Sequence, residues 1–379
     1  MNVVHVCVAG TQPLLAQDGG AIQRRIIELA KAQVALGHDV VTYSVGPTDR
    51  EIQVEGVTVR WIRCRTPMPW RHAEYLGRLT MIIRRSSRPS VLTFHGQPEG
   101  SMLGRLFRCP SALIYDYFHY AGGRYPFLHS LYQRMLRSFD LLLPCSRYCQ
   151  EESVAHWALD GANVSVLYNG VNLAQFHPDR RSGAAERERL GLTGPVVLYV
   201  GRVNQQKGTD LLLESWATAH QRVPDAALVI AGPISQFGTP VSRSEQTSWE
   251  DRIAEVGGRY LGPVDESRLA AVYNMADVFV MPTRVSEMFG MAAVEAQACG
   301  VPVIASDHGG LRETVPRRCG ARFPPGDATT LGQEIHRLLS DAIQRADCGK
   351  EAAENAKQYS WDRIAQDLDD AYDRVGIRG

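Results

Sequence analysis

Two carboxylates indicate what chemistry this chain can do. In SEMFGMAAVEAQACGVPVIASDHGG, residues 286–310, Glu287 and Glu295 are separated by seven residues and enclose an apolar run that leads into a buried strand. The run predicts a helix beginning near Gly290, whose first amides, those of Phe289, Gly290 and Met291, are free to receive a phosphate. Glu287 falls just ahead of this helix and Glu295 about two turns further on, on a face otherwise made of Ala, Val and Met. A buried carboxylate needs donors, and sugar hydroxyls offer them in pairs. The bland alternative makes Glu287 a charge that favours the helix dipole and Glu295 a satisfied structural acid.

Two further loops carry residues suited to an anion. In VVLYVGRVNQQKGTDLLLESWA a buried run ends at Gly201, and Arg202 and Lys207 follow before a helix that Thr209 or Asp210 can cap. Two cations on one loop beside a helix start make a diphosphate clamp, although lone surface charges are the commoner fate of such residues. In DGGAIQRRIIELAKAQVALGHDV, Gly19 and Gly20 let a backbone approach a ligand closely ahead of an amphipathic helix.

The elements that must position these residues alternate regularly. β-branched runs such as VVHVCVA, HDVVTYSV, VTVRWI, SVLTF, ALIYDY, DLLLPC and VSVLYN alternate with segments of helical period. The rhythm restarts with PVVLYVG, AALVIAG, RYLGPV, DVFVMP and VPVIAS. The pattern is α/β, and 379 residues exceed one ordinary core, so two Rossmann-like doubly wound domains facing across a cleft are expected. SGAAERERLGLTG, residues 182–194, reads as the linker. Residues 1–182 with about 360–379 then form the first domain and residues 190–358 the second. Ligands of such sheets sit at the carboxyl ends of the strands, where all three loops fall. The segment 232–251 is long for a connection and is expected to help shape the pocket.

Composition excludes several classes. Lys plus Arg and Asp plus Glu both number 41, so no global charge points to nucleic acid. Eight scattered cysteines without CxxC spacing indicate neither a zinc site nor a disulfide framework, and fit a reducing cytoplasm. The opening MNVVHVCVAG is too short to span a membrane and lacks the marks of a signal peptide. A dinucleotide-dependent oxidoreductase is disfavoured because the first strand is not followed by GxGxxG. Residues 60–88 hold eight arginines against one acid, with Trp61, Trp70 and Tyr75 interleaved. That stretch reads first as a solvated basic face, and otherwise as a surface for an anionic membrane or an acidic acceptor, which would place the protein peripherally at the inner membrane face.

The pair Glu287 and Glu295 within EMFGMAAVEAQACGVPVIASDHGG, together with GRVNQQKG, YNGVNLAQFHP and GGAIQRRIIELAKAQVALGHDV, resembles the signature of retaining glycosyltransferases of family 4, enzymes of the two-domain GT-B fold. The resemblance covers nearly the whole chain. It implies a nucleotide-diphosphate sugar as donor, with a UDP-linked hexose or N-acetylhexosamine as the first expectation, and an acceptor that is a small molecule, a glycan or a lipid. By that resemblance Glu295 binds the ribose and Glu287 the sugar hydroxyls. Arg202, Lys207 and the amides from Phe289 to Met291, with Gly19 and Gly20, hold the leaving diphosphate without a metal. Front-face attack would retain the anomeric configuration. The last helix would cross back to the first domain, anchored by Trp361. The family also places a His at the end of a first-domain strand. Here His119 is the first choice for that catalytic position, with Asp116 and His95 as the other candidates. A nucleotide-sugar epimerase or hydrolase, or a binding protein without turnover, are the rival readings of the same residues.

Overall fold

The computed structural model describes residues 1–7, 14–15, 21–67, 70–85, 89–96, 100–101, 112–118, 129–236 and 239–377. Gly19, Gly20 and His119 lie outside the described residues. The chain divides into two compact units, Met1–Gly170 with Trp361–Gly379, and Val171–Ser360.

The first unit is built on a seven-stranded sheet of order β3-β4-β2-β1-β5-β6-β7. The strands are β1 (Asn2–Val6), β2 (Asp39–Gly46), β3 (Arg50–Val54), β4 (Val57–Arg63), β5 (Val91–His95), β6 (Ala112–Phe118) and β7 (Leu141–Pro144). Every pairing is parallel except that of β3 with β4. Strand periodicity sends successive side chains to opposite faces, and each face has its own helix layer. Val3 and Cys7 of the first strand region pack with Ile26 and Leu29 of helix Ala21–Ala35 and with Ile364, Leu368 and Tyr372 of the C-terminal helix Trp361–Arg374. Val4 and Val6 face Tyr75 and Leu79 of helix Arg71–Arg85. The C-terminal helix thus completes a sheet begun by the first residues.

The second unit carries a six-stranded, all-parallel sheet of order β12-β9-β8-β13-β14-β15, from β8 (Val196–Val200), β9 (Ala227–Ala231), β12 (Arg259–Gly262), β13 (Val278–Met281), β14 (Val303–Ser306) and β15 (Gly320–Phe323). A ribbon of β10 (Ser235–Gln236) and β11 (Thr239–Pro240) lies outside it. Trp216, Leu212, Ile335 and Leu338 fill the core against Val197, Val278, Val280 and Ile304.

Several expectations are corrected. Residues 182–194 are not a linker: Arg180–Leu190 is a helix, with the Asp179 carboxylate accepting from the amides of Arg181 and Ser182 at 3.0 and 3.3 Å. Gly191 (φ 61°), read as linker glycine, is its left-handed C-terminal residue. The division of the chain accordingly falls after Gly170 rather than at residue 182. VSVLYN forms no strand beyond a single bridge from Val164 to Leu142. REIQV and GARF do form strands, β3 and β15. The segment 232–251 contains the ribbon and the start of helix Arg243–Glu255, so it is not a structureless loop.

Candidate functional site

Strands β8, β13 and β14 are neighbours in the second sheet, so the loops after their carboxyl ends meet at one edge. These are 201–208, 282–290 and 307–310, the loops in which the sequence places Arg202 and Lys207, Glu287, and the His308–Gly310 turn. Parallel strands with buried, β-branched side chains fix this edge before any functional residue is considered.

The first loop is locked to the second. Gly208 (φ 72°) begins helix Thr209–Arg222, and a Cβ there would lie 1.8 Å from the Pro282 carbonyl oxygen, so only glycine fits. Neither Thr209 nor Asp210 caps the helix as expected: Thr209 Oγ1 accepts from the Asn204 amide at 3.3 Å, and Asp210 pairs with Arg284 at 2.9 Å. Asn204 shapes the loop, its Oδ1 accepting from the Lys207 amide at 2.8 Å while its Nδ2 donates to Ser235 O at 2.7 Å. Below, the buried Tyr199 hydroxyl donates to the Arg202 carbonyl at 2.6 Å, and burial pushes that phenol's pKa up.

Lys207 and Glu287, both partly buried, form an ion pair through Nζ and Oε2. The Arg202 guanidinium meets no acceptor among the described residues, and neither do the amides of Met288, Gly290 and Met291. Gly290 (φ 91°) precedes helix Met291–Ala298, as the sequence predicted. Two cations, a carboxylate and several unused amides at a helix start form an arrangement suited to a polyanion that carries hydroxyls. Ser286 Oγ lies 3.1 Å from His308 Nε2, which ties the second loop to the third.

Glu295 lies just over one turn inside that helix and is 4 % exposed. Its Oε2 accepts from the Tyr273 hydroxyl at 2.8 Å. Among the described residues no group of three or more His, Cys, Asp or Glu side chains could hold a metal ion.

In the first unit, Asp116 and His95 do not stand at an open strand end. Both are fully enclosed. Asp116 accepts from Arg25 Nε at 2.8 Å and Nη2 at 2.7 Å, and its Oδ2 lies 2.9 Å from His95 Nδ1. His95 Nε2 lies 2.9 Å from His5 Nδ1, and His5 Nε2 lies 2.7 Å from Gln33 Oε1. Arg25 uses its remaining N–H groups on Leu167 O at 3.2 Å, Tyr168 O at 2.9 Å and Asn169 Oδ1 at 2.6 Å. Burial opposes the charge on Asp116, but Arg25 and then His95 outweigh it and hold the carboxyl well below the usual range. Burial, and then His95, lower the pKa of His5 to about 3. The polar atoms of Asp116 and His95 thus serve an internal network. Sequence reasoning missed Arg25 and His5, since an Arg in an amphipathic helix reads as solvent-facing.

The basic stretch is not one continuous cationic face. Arg60 pairs with Glu51 at 2.7 Å and Arg78 with Asp49 at 2.9 Å. Tyr75 is buried, Trp61 donates to Leu14 O at 3.2 Å, and Trp70 is 70 % exposed. No helix of the described residues is long and apolar enough to cross a membrane.

Two Rossmann-like units with parallel sheets, the second carrying an anion-ready edge, are the architecture of GT-B glycosyltransferases. The sucrose-phosphate synthase of Thermosynechococcus elongatus superimposes with a TM-score of 0.79 at 22% identity, covering 99% of each chain. HepE of Anabaena, solved in complex with UDP and glucose, gives 0.78 at 17%, covering 98% of this chain and 99% of its own. The family models match in the same order: residues 19–175 match Glycosyltransferase Family 4 and residues 184–355 match Glycosyl transferases group 1. The chain carries these two domains and is a glycosyltransferase. A D-inositol 3-phosphate glycosyltransferase of Jonesia denitrificans is 29% identical over 99% of this chain and 96% of its own length. Against other relatives of that description the match spans about half of their length (53% and 54%).

Proposed function

We propose that the protein transfers a sugar from a nucleotide-diphosphate donor to an acceptor hydroxyl, with retention and without a metal. The observation that carries this reading is the Arg202 guanidinium and the amides of Met288, Gly290 and Met291, none with an acceptor among the described residues, at the edge where Lys207 meets Glu287. A diphosphate that leaves gathers negative charge in the transition state. Fixed cations and amides aimed at that charge lower the barrier more than they stabilise the ground state. Lys207 neutralises the leaving oxygens, Glu287 accepts from donor-sugar hydroxyls, and Glu295, steadied by Tyr273, accepts from the ribose.

As the bond from the anomeric carbon to the phosphate oxygen breaks, the acceptor oxygen forms its bond on the same face and its proton passes to the departing phosphate oxygen. His119 stays the candidate first-domain group near that carbon. UDP-sugars come first among donors, supported by the UDP and glucose in the HepE complex, and phosphorylated cyclitols come first among acceptors, supported by the name of the Jonesia relative.

A thermal-shift screen of UDP, ADP, GDP and their sugars tests the reading, with Arg202→Ala/Lys207→Ala beside the wild type. A diphosphate that raises only the wild-type melting temperature supports it. No shift at millimolar concentration overturns it.

A further inference from the structure

The turn that precedes helix Met291–Ala298 is gripped from one side. The Gly310 amide donates to the Glu287 carbonyl at 2.8 Å, and the Thr314 hydroxyl reaches the Phe289 carbonyl at 3.0 Å, with the Gly310 carbonyl at 3.2 Å as its other acceptor. Thr314 is fully buried and is itself held from behind, its carbonyl accepting from Gln297 Nε2 at 2.9 Å and Asn355 Nδ2 at 3.2 Å. The close approach requires glycines: a Cβ on Gly309 (φ 58°) would lie 2.5 Å from Glu287 O, and one on Gly310 2.3 Å from Met288 O.

A trans peptide is planar, with its C=O and N–H pointing in opposite directions. Fixing the carbonyl of Glu287 therefore turns the amide of Met288 away from segment 309–314, and fixing the carbonyl of Phe289 turns the amide of Gly290 the same way. Neither amide has an acceptor among the described residues, and Gly290 is buried. A buried N–H without a partner is rare enough to need an acceptor from outside the chain.

The geometry points to Thr314, with the Gly310 amide, as a positioning residue for the donor site: by holding alternate carbonyls it presents the amides of Met288 and Gly290 together to the donor's oxygens. This inference rests on the donor reading above. Thr314 does not touch the donor; it acts through the Phe289–Gly290 peptide, which without the hydroxyl is free to rotate.

Thr314→Val keeps the shape and removes the donor, and Thr314→Ser restores it. Both variants and the wild type are titrated calorimetrically with UDP, ADP and GDP and with the matching nucleosides. The Gly290 amide resonance is followed in the ligand-free proteins. The expected result is a Thr314→Val protein that binds the diphosphate about tenfold more weakly but the nucleoside as before. Its Gly290 resonance should be displaced, and Thr314→Ser should reverse both effects. Diphosphate affinity within twofold of wild type in Thr314→Val overturns the inference, as does an equal loss for diphosphate and nucleoside, which marks general damage. A wild type that binds none of the three diphosphates brings down the donor reading itself, and that arm alone identifies this failure.

Discussion

Replacing Asp116 by Asn separates a structural from a catalytic role at the end of β6. In the wild type both carboxylate oxygens face Arg25, which is 2 % exposed, while Asp116 is wholly enclosed. Removing one partner of a buried ion pair leaves the other charge uncompensated and costs about 3–5 kcal/mol. Asn retains one acceptor, and Arg25 keeps its bonds to Leu167, Tyr168 and Asn169, so the lower end, about 3 kcal/mol, is expected. For a unit of this size that corresponds to a fall of roughly 6–12 °C in melting temperature. Scanning calorimetry reads the stability, and donor turnover is measured well below both transitions. We expect the melting temperature to fall and turnover to stay within about threefold of wild type, a difference of less than 1 kcal/mol in the barrier. An Asp116→Asn protein as stable as wild type but more than a hundredfold slower would refute the reasoning, because the carboxylate would then act on the reacting atoms.

Four further outcomes follow from the same geometry. His5 has a folded pKa of about 3, below the ordinary 6.5, so the unfolded chain takes up a proton first as pH falls. Stability present above pH 6.5 should be lost progressively between about 6.5 and 3, by up to ~1.4 kcal/mol per pH unit. Urea midpoints at several pH values check this, and His5→Gln should flatten the slope. Gly208→Ala forces a Cβ into the Pro282 carbonyl and should weaken UDP binding more than about tenfold (~1.4 kcal/mol) by calorimetry. Tyr273→Phe leaves the buried Glu295 carboxylate short of a donor, which should lower stability by about 1–3 kcal/mol in chemical denaturation and weaken nucleoside binding. Flotation with phosphatidylglycerol vesicles at physiological salt should leave the protein unbound, since Arg60 and Arg78 are already paired; flotation that Trp70→Ala abolishes would restore the membrane reading.

The sequence discloses the second unit more fully than the first. Its strands are short, apolar and bounded by glycines, and Lys207, Glu287 and Gly290 lie close to them along the chain, so one local pattern locates both fold and edge. The strands β3 and β15 carry little strand signal, because REIQV is a polar edge strand and GARF is short and opens on a glycine. Helix Arg180–Leu190 reads as a linker in the sequence because its composition is charged and small. What decides that segment is the pairing of Asp179 at its start with Gly191 at its end. The network around Arg25 was hidden for a different reason. Its members, His5, Gln33, His95, Asp116 and Asn169, come from separated elements, and only the tertiary fold turns a helix-face Arg inward. The same holds for Thr314, whose contact with Phe289 crosses from one loop to the next.

The C-terminal helix that closes the first sheet has a consequence for synthesis. Its residues emerge from the ribosome after the entire second unit, so the apolar face lined by Ile26 and Leu29 waits uncovered while Val171–Ser360 is made. The second unit is continuous in sequence and can mature during that interval. The first remains an open half-sandwich until Ile364, Leu368 and Tyr372 arrive. A chain cut at Trp361 would lose the helix that covers this face. In the cell it would be left with one finished domain and one that chaperones must hold.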